Sequence, residues 1–157
     1  MSLYLLLKTL HILSSTLLFG TGLGSAYYAL RAWLSGDVRV IAVTFRHLVT
    51  ADWLFIATTA VFQPLSGLGL VHLAGWPLNQ AWLLWSIGLY VFAGLCWLPV
   101  VWLQMRLRDM AQAAAEAGQP LPLRYDGYLG IWAALGVPAL FSFLVIFYLM
   151  TAKPAFG

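Results

Sequence analysis

GYLGIWAALGVPALFSFLVIFYLMTA, residues 127–152, contains no Asp, Glu, Lys or Arg. A helix rises about 1.5 Å per residue, so this stretch exceeds the roughly 20 residues that cross a hydrocarbon core of about 30 Å. It reads as a membrane-spanning helix over about 126–152. Three comparable stretches precede it, at about 3–34, 38–74 and 81–117. The expected fold is therefore all-α, an integral membrane four-helix bundle forming one domain over 1–157. The expected solvent is the lipid bilayer.

Composition supports that reading. Of 157 residues, 62% are hydrophobic and 8% charged, with a mean hydropathy of +0.88. Little is left from which to build a soluble domain. The formal net charge of +3 sits beside apolar spans, where Lys and Arg record topology, and no basic patch is rich enough to track nucleic acid. The first apolar region is longer than the core of a secretory signal and is expected to remain as a helix. Cys96 is the one cysteine, which excludes an intrachain disulfide.

The breaks between spans carry turn chemistry. Ser35-Gly36-Asp37 ends one helix and caps the next. Gly75 to Gln80 makes an uncharged turn, and Gly118-Gln119-Pro120-Leu121-Pro122 makes the one longer loop. Pro64, Pro99 and Pro138 lie inside spans, where a kink is expected at Pro64 and at Pro99. The end of the third span, with Arg106, Arg108, Asp109 and Glu116 among alanines, should leave the lipid. Trp33, Trp76, Trp82 and Trp102 lie near span ends, as interface anchors do.

Six of the eight Lys and Arg residues, namely Arg31, Arg39, Arg46, Arg106, Arg108 and Arg124, flank the loops after helices one and three. Lys8 and Lys153 lie at the other end. That asymmetry predicts those loops, and the helices extending into them, on the cytoplasmic side; in a bacterium the protein would then lie in the inner membrane. Both termini would be periplasmic.

Polar groups at membrane depth are costly unless they face the bundle. At roughly 100° per residue, Asp52, Thr59, Gln63 and Ser66 share one face of the second helix. His11, Ser15, Gly22 and Ser25 share a face of the first, where Gly20 and Gly24 form a small-xxx-small pair suited to close helix contact. Ser86, Tyr90, Gly94, Trp97 and Gln104 line up on the third. Small polar residues of this kind also serve as plain packing contacts. Asp52 stands apart, because an acid inside a span needs a partner, and Gln104 or Arg106 are the cross-bundle candidates.

His11 and His72 both lie towards the terminal end of the bundle. Neutral imidazole is a common ligand of haem iron and copper, so these two are candidate metal ligands. Trp53, Trp85, Trp97 and Trp132 are deeper, and Trp85 and Trp97 are candidate walls for a flat cofactor. No phosphate-binding loop, zinc-protease motif, thiol pair or nucleophile elbow is present.

Leu6-Leu7-Lys8-Thr9-Leu10-His11-Ile12-Leu13 and Leu18-Phe19-Gly20-Thr21-Gly22 resemble a bacterial family of predicted integral membrane proteins (domain-of-unknown-function family 2269). Asp52-Trp53, Gln63-Pro64-Leu65-Ser66-Gly67, the segment from Trp97 to Gln104 and Lys153-Pro154 look like its other marks, so the likeness spans nearly the whole chain. The opening Lys-x-Leu-His-like element is also similar to that of copper-resistance protein D-like proteins and HemJ-type protoporphyrinogen oxidases. In the latter the histidine is associated with haem, and His11 is the residue that the likeness carries over.

Two functions follow as expectations. The first is a protein holding haem b, or copper, near its periplasmic side through His11 for electron transfer or tetrapyrrole redox chemistry, with His72 as a second ligand. The second is a small transport or accessory protein in which Asp52 and Gln63 line a polar path. Either would work as a homo-oligomer or within a larger membrane complex.

Overall fold

The structure is a computed structural model describing residues 2–154. Helix α1 (Leu3–Ser35) starts at Ser2, whose side chain accepts from the Leu5 N–H, and ends at Gly36. There φ is 67°, a left-handed conformation that glycine adopts without a Cβ clash. Asp37 then caps α2 (Val38–Ala51) by accepting from the N–H groups of Arg39 and Val40. The short connection makes α1 and α2 antiparallel neighbours.

The second span is not one uniform helix. A π-helical turn at Asp52–Ile56 separates α2 from α3 (Ala57–Ala74), and the Ala57 N–H reaches back to the Asp52 carbonyl. Hydroxyls stitch the loosened turn. Thr58 donates to the Leu54 carbonyl at 2.7 Å, and Thr59 donates to Phe55 and to Ile56. A departure from regular α-helical hydrogen bonding lies at Asp52–Ile56, ahead of Pro64, and α3 continues through the proline.

Pro64 still leaves its mark. Proline has no N–H to offer the carbonyl four residues earlier, which is that of Ala60. The Tyr90 hydroxyl, from the neighbouring span, donates to the Ala60 oxygen at 2.6 Å. A polar group freed inside one span is thus satisfied by another, as the lack of water there requires.

Gly75 closes α3 with φ of 68°. Helix α4 covers Ala81–Ala117 and α5 covers Arg124–Ala152, starting two residues before the expected Asp126 because the Tyr125 N–H bonds to the Pro122 carbonyl at 2.9 Å. Helix α4 has 37 residues, about 55 Å of helix, so it outruns a hydrocarbon core of about 30 Å. The four spans, Leu3–Ser35, Val38–Ala74, Ala81–Ala117 and Arg124–Ala152, are long and apolar enough to cross a membrane, and at most 22% of each apolar window is buried in the protein. Most of that apolar surface therefore requires an apolar surrounding.

Packing is concentrated at the arginine-rich end. Phe45, Leu107, Ala111 and Tyr125 are fully covered there among α1, α2, α4 and α5. Phe45 meets Tyr125 and Trp132 edge to face, at 6.2 and 6.3 Å between ring centres. A smaller cluster of Val71, Trp82, Leu83 and Leu149 closes the opposite end. Trp82 is buried in it, so it serves as core, and Lys153 lies over the Trp76 ring at 4.7 Å. Gly20 and Gly24 contact no other helix, since a Cβ at either would meet nothing within 4 Å. The close approaches are at Gly22 towards Leu140, Gly67 towards His11 and Gly69 towards Leu7.

Candidate functional site

The π turn divides the polar face read from the second span. One residue added to a helical turn rotates everything beyond it by roughly 100°. Asp52 therefore looks towards α4, while Gln63 and Ser66 look towards α1. Two polar clusters result where one stripe was expected.

The first lies between α1 and α3. His11 Nδ1 is 2.7 Å from Ser66 Oγ, and His11 Nε2 is 3.2 Å from Gln63 Nε2. The Ser66 hydroxyl also lies 2.8 Å from the Phe62 carbonyl, and the Gln63 amide oxygen is buried without a partner. Gly67 lets the ring lie close, because a Cβ there would stand 3.3 Å from His11 Cε1.

Both ring nitrogens are thus engaged inside the protein. A metal ion at either nitrogen would need Ser66 or Gln63 to turn away. His72 is exposed in the last turn of α3, roughly 120° around the helix from Ser66. The structure does not bring His72 onto the face that holds His11. Among the described residues no three His, Cys, Asp or Glu side chains are grouped to hold a metal ion.

The second cluster joins three spans. Gln104 Nε2 donates to Asp52 Oδ2 at 2.9 Å, and Trp132 Nε1 donates to Gln104 Oε1 at 3.0 Å. Asp52, Gln104 and Trp132 are all buried. Arg106 instead stacks its guanidinium on the Trp102 ring at 5.4 Å and is exposed at the surface. No Lys or Arg among the described residues lies within ion-pair distance of Asp52.

Between the two packed ends, α1, the π turn, α4 and α5 enclose a cavity of about 600 Å³. Its walls are mostly aliphatic and aromatic, with Asp52, Gln104, Tyr90, Trp97 and Trp132 supplying polar atoms. Trp97 Nε1 is buried without a hydrogen-bond partner. Leu30, Val91, Leu95, Leu98 and Val137 line the cavity and are each more than half exposed, so it opens sideways through the apolar belt. Gln63 and Ser66 do not line it.

The aromatic candidates divide by face. Trp97 and Trp132 border the cavity. Trp53 and Trp85 are 56% and 63% exposed and point outward. Trp85 and Trp97 lie roughly 120° apart on one helix, so they cannot wall one flat group, and Ser86 is the residue that turns inward there.

The family model described as "Predicted integral membrane protein (DUF2269)" matches residues 5–154. The chain belongs to this family. No curated protein and no solved structure matches it. As a DUF2269 member with four candidate spans it is a multi-pass integral membrane protein, and the lipid bilayer is the surrounding that its exposed apolar windows require. Within this member, sequence reasoning missed the π turn and the link from Trp132 to Gln104. The Ala60 carbonyl was traceable from Pro64, but its partner Tyr90 was not.

Proposed function

We propose that this protein binds a membrane-soluble molecule with an apolar body and a polar end. The molecule enters from the lipid and places its polar end at Asp52 and Trp97. The cavity carries the proposal: its volume and apolar walls with a few convergent polar groups match ligand sites in general. The unpartnered Trp97 N–H calls for an acceptor, and Asp52, held by one neutral donor, calls for a donor or cation. Electron transfer or tetrapyrrole chemistry through His11 is not part of this reading, because His11 lies outside the cavity, with Ser66 and Gln63 as side-chain partners. A polar path through both Asp52 and Gln63 is not part of it either, since the two face different neighbours. The six-to-two excess of cations favours an orientation with the arginine-rich end in the bacterial cytoplasm.

Extraction of the purified protein followed by mass spectrometry of the released small molecules tests this. At Gly94 and Gly136, both lining the cavity, an added Cβ meets nothing within 4 Å, so Gly94→Phe with Gly136→Leu fills the space. The expected result is a molecule co-purifying with the wild type and lost from a folded, filled variant. Equal recovery from both, or none from the wild type, overturns the proposal.

A further inference from the structure

At the arginine-rich end a second hollow, a groove of about 570 Å³, runs between α4, the loop before α5 and the first turns of α5. Trp102, Arg106, Asp109, Gln119, Arg124 and Tyr128 are among its walls. Arg106 is held by stacking on Trp102, and Trp102 meets Tyr128 at 6.2 Å between ring centres. Neither Arg106 nor Arg124 has a carboxylate within ion-pair distance among the described residues. The acid in the groove wall, Asp109, pairs with Arg108 at 2.8 Å, and Asp126 accepts from Trp33 Nε1 at 2.9 Å. The groove therefore presents two guanidinium groups without an ion-pair partner beside two amphipathic rings. It lies where α4 passes from its apolar window into its charged end, at the level of the membrane surface.

We propose that this groove binds the phosphate-bearing head group of an anionic membrane lipid. Guanidinium matches phosphate oxygens in pairs, through charge-assisted hydrogen bonds. A pocket of cations between spans at the membrane surface is where such head groups are held. The cation–π contact with Trp102 keeps the Arg106 guanidinium at the groove wall, which reduces the freedom lost on binding. Trp102 and Tyr128 then flank the glycerol and the first methylenes of the chains.

The test reconstitutes the full chain into vesicles of phosphatidylcholine containing a minor share of phosphatidylglycerol with the same acyl chains. Lipids that stay bound are then counted by native mass spectrometry. The expected result is enrichment of phosphatidylglycerol by roughly fivefold or more over its share in the vesicle, from the attraction typical of one or two arginines at a membrane surface. Arg106→Gln with Arg124→Gln should bring the bound lipids back to the vesicle ratio. Arg31→Gln with Arg39→Gln, an equal change of charge at the same end, should leave the enrichment unchanged. Equal loss in both double variants, no enrichment in the wild type, or displacement of the lipid by millimolar inorganic phosphate overturns the proposal. The cavity-filled variant should keep the enrichment, so the result stands or falls apart from the cavity reading.

Discussion

Gln104 donates its side-chain amide to Asp52 and, through its oxygen, accepts from Trp132. Each neighbour fixes the same orientation of the amide, because a flipped one would set N–H against N–H and oxygen against carboxylate. Gln104→Leu strands both neighbours without a partner. It should cost about 2 to 6 kcal/mol, given about 1 to 3 for each unmet buried group. Asp52→Asn keeps an acceptor facing Gln104 and should cost less than half as much. Denaturant unfolding in detergent, followed by circular dichroism, measures both.

The tether from Tyr90 to Ala60 makes a sharper prediction. Tyr90→Phe removes the donor and should destabilise by about 0.6 to 1.7 kcal/mol, the range for hydrogen bonds between spans. Pro64→Ala supplies a backbone N–H that can meet the same carbonyl. In that background Tyr90→Phe should cost clearly less, and a double-mutant cycle reads the difference. Equal costs in both backgrounds would sever the link between Pro64 and Tyr90.

The π turn can be removed by deleting one residue within it. Leu54 is 58% exposed, so its loss sacrifices little packing of its own. Closing the turn to α-helical register should rotate Gln63 and Ser66 by roughly 100° away from His11. The expected outcome is a large loss of stability, together with loss of a slowly exchanging His11 ring N–H proton seen by nuclear magnetic resonance. Retention of that proton would mean that the turn does not set the register.

For His11 the expected outcomes concern packing. Protein prepared from haem-replete cells should show no Soret band and no reduced-minus-oxidised signal, since both His11 ring nitrogens already have side-chain partners. Gly67→Val brings bulk to where a single Cβ would already stand 3.3 Å from the ring, and should lower the melting temperature. A Soret band that disappears in His11→Ala would overturn this account of His11.

The four spans were legible because absence of charge over a membrane's thickness is a property of composition, and residues 127–152 show it without reference to the rest. The turn at Ser35-Gly36-Asp37 was legible too, since capping is local. What stayed hidden was register. Nothing in Asp52-Trp53-Leu54-Phe55-Ile56 is a glycine or proline, so propensity gives no sign of a wider turn, and a uniform 100° step put Gln63 on the wrong face. The same arithmetic, applied within α4 where no such turn intervenes, sets Trp85 roughly 120° from Trp97, although the sequence reading has both as walls for one flat group. Asp52 was identifiable as a side chain needing a partner. The choice of Gln104 over Arg106 depended on how α4 is rotated, and that is decided by packing against α2 and α5.

The Ala60 carbonyl also has a history in time. Its partner lies 30 residues later in the chain, an interval of roughly two to six seconds at ordinary translation speeds. During that interval a nascent chain with only its first two spans inserted holds an oxygen that its own helix cannot match. Arrival of the third span answers it. The hydrogen bond that Pro64 removes from the second span is thus restored only once Tyr90 of the third is in place.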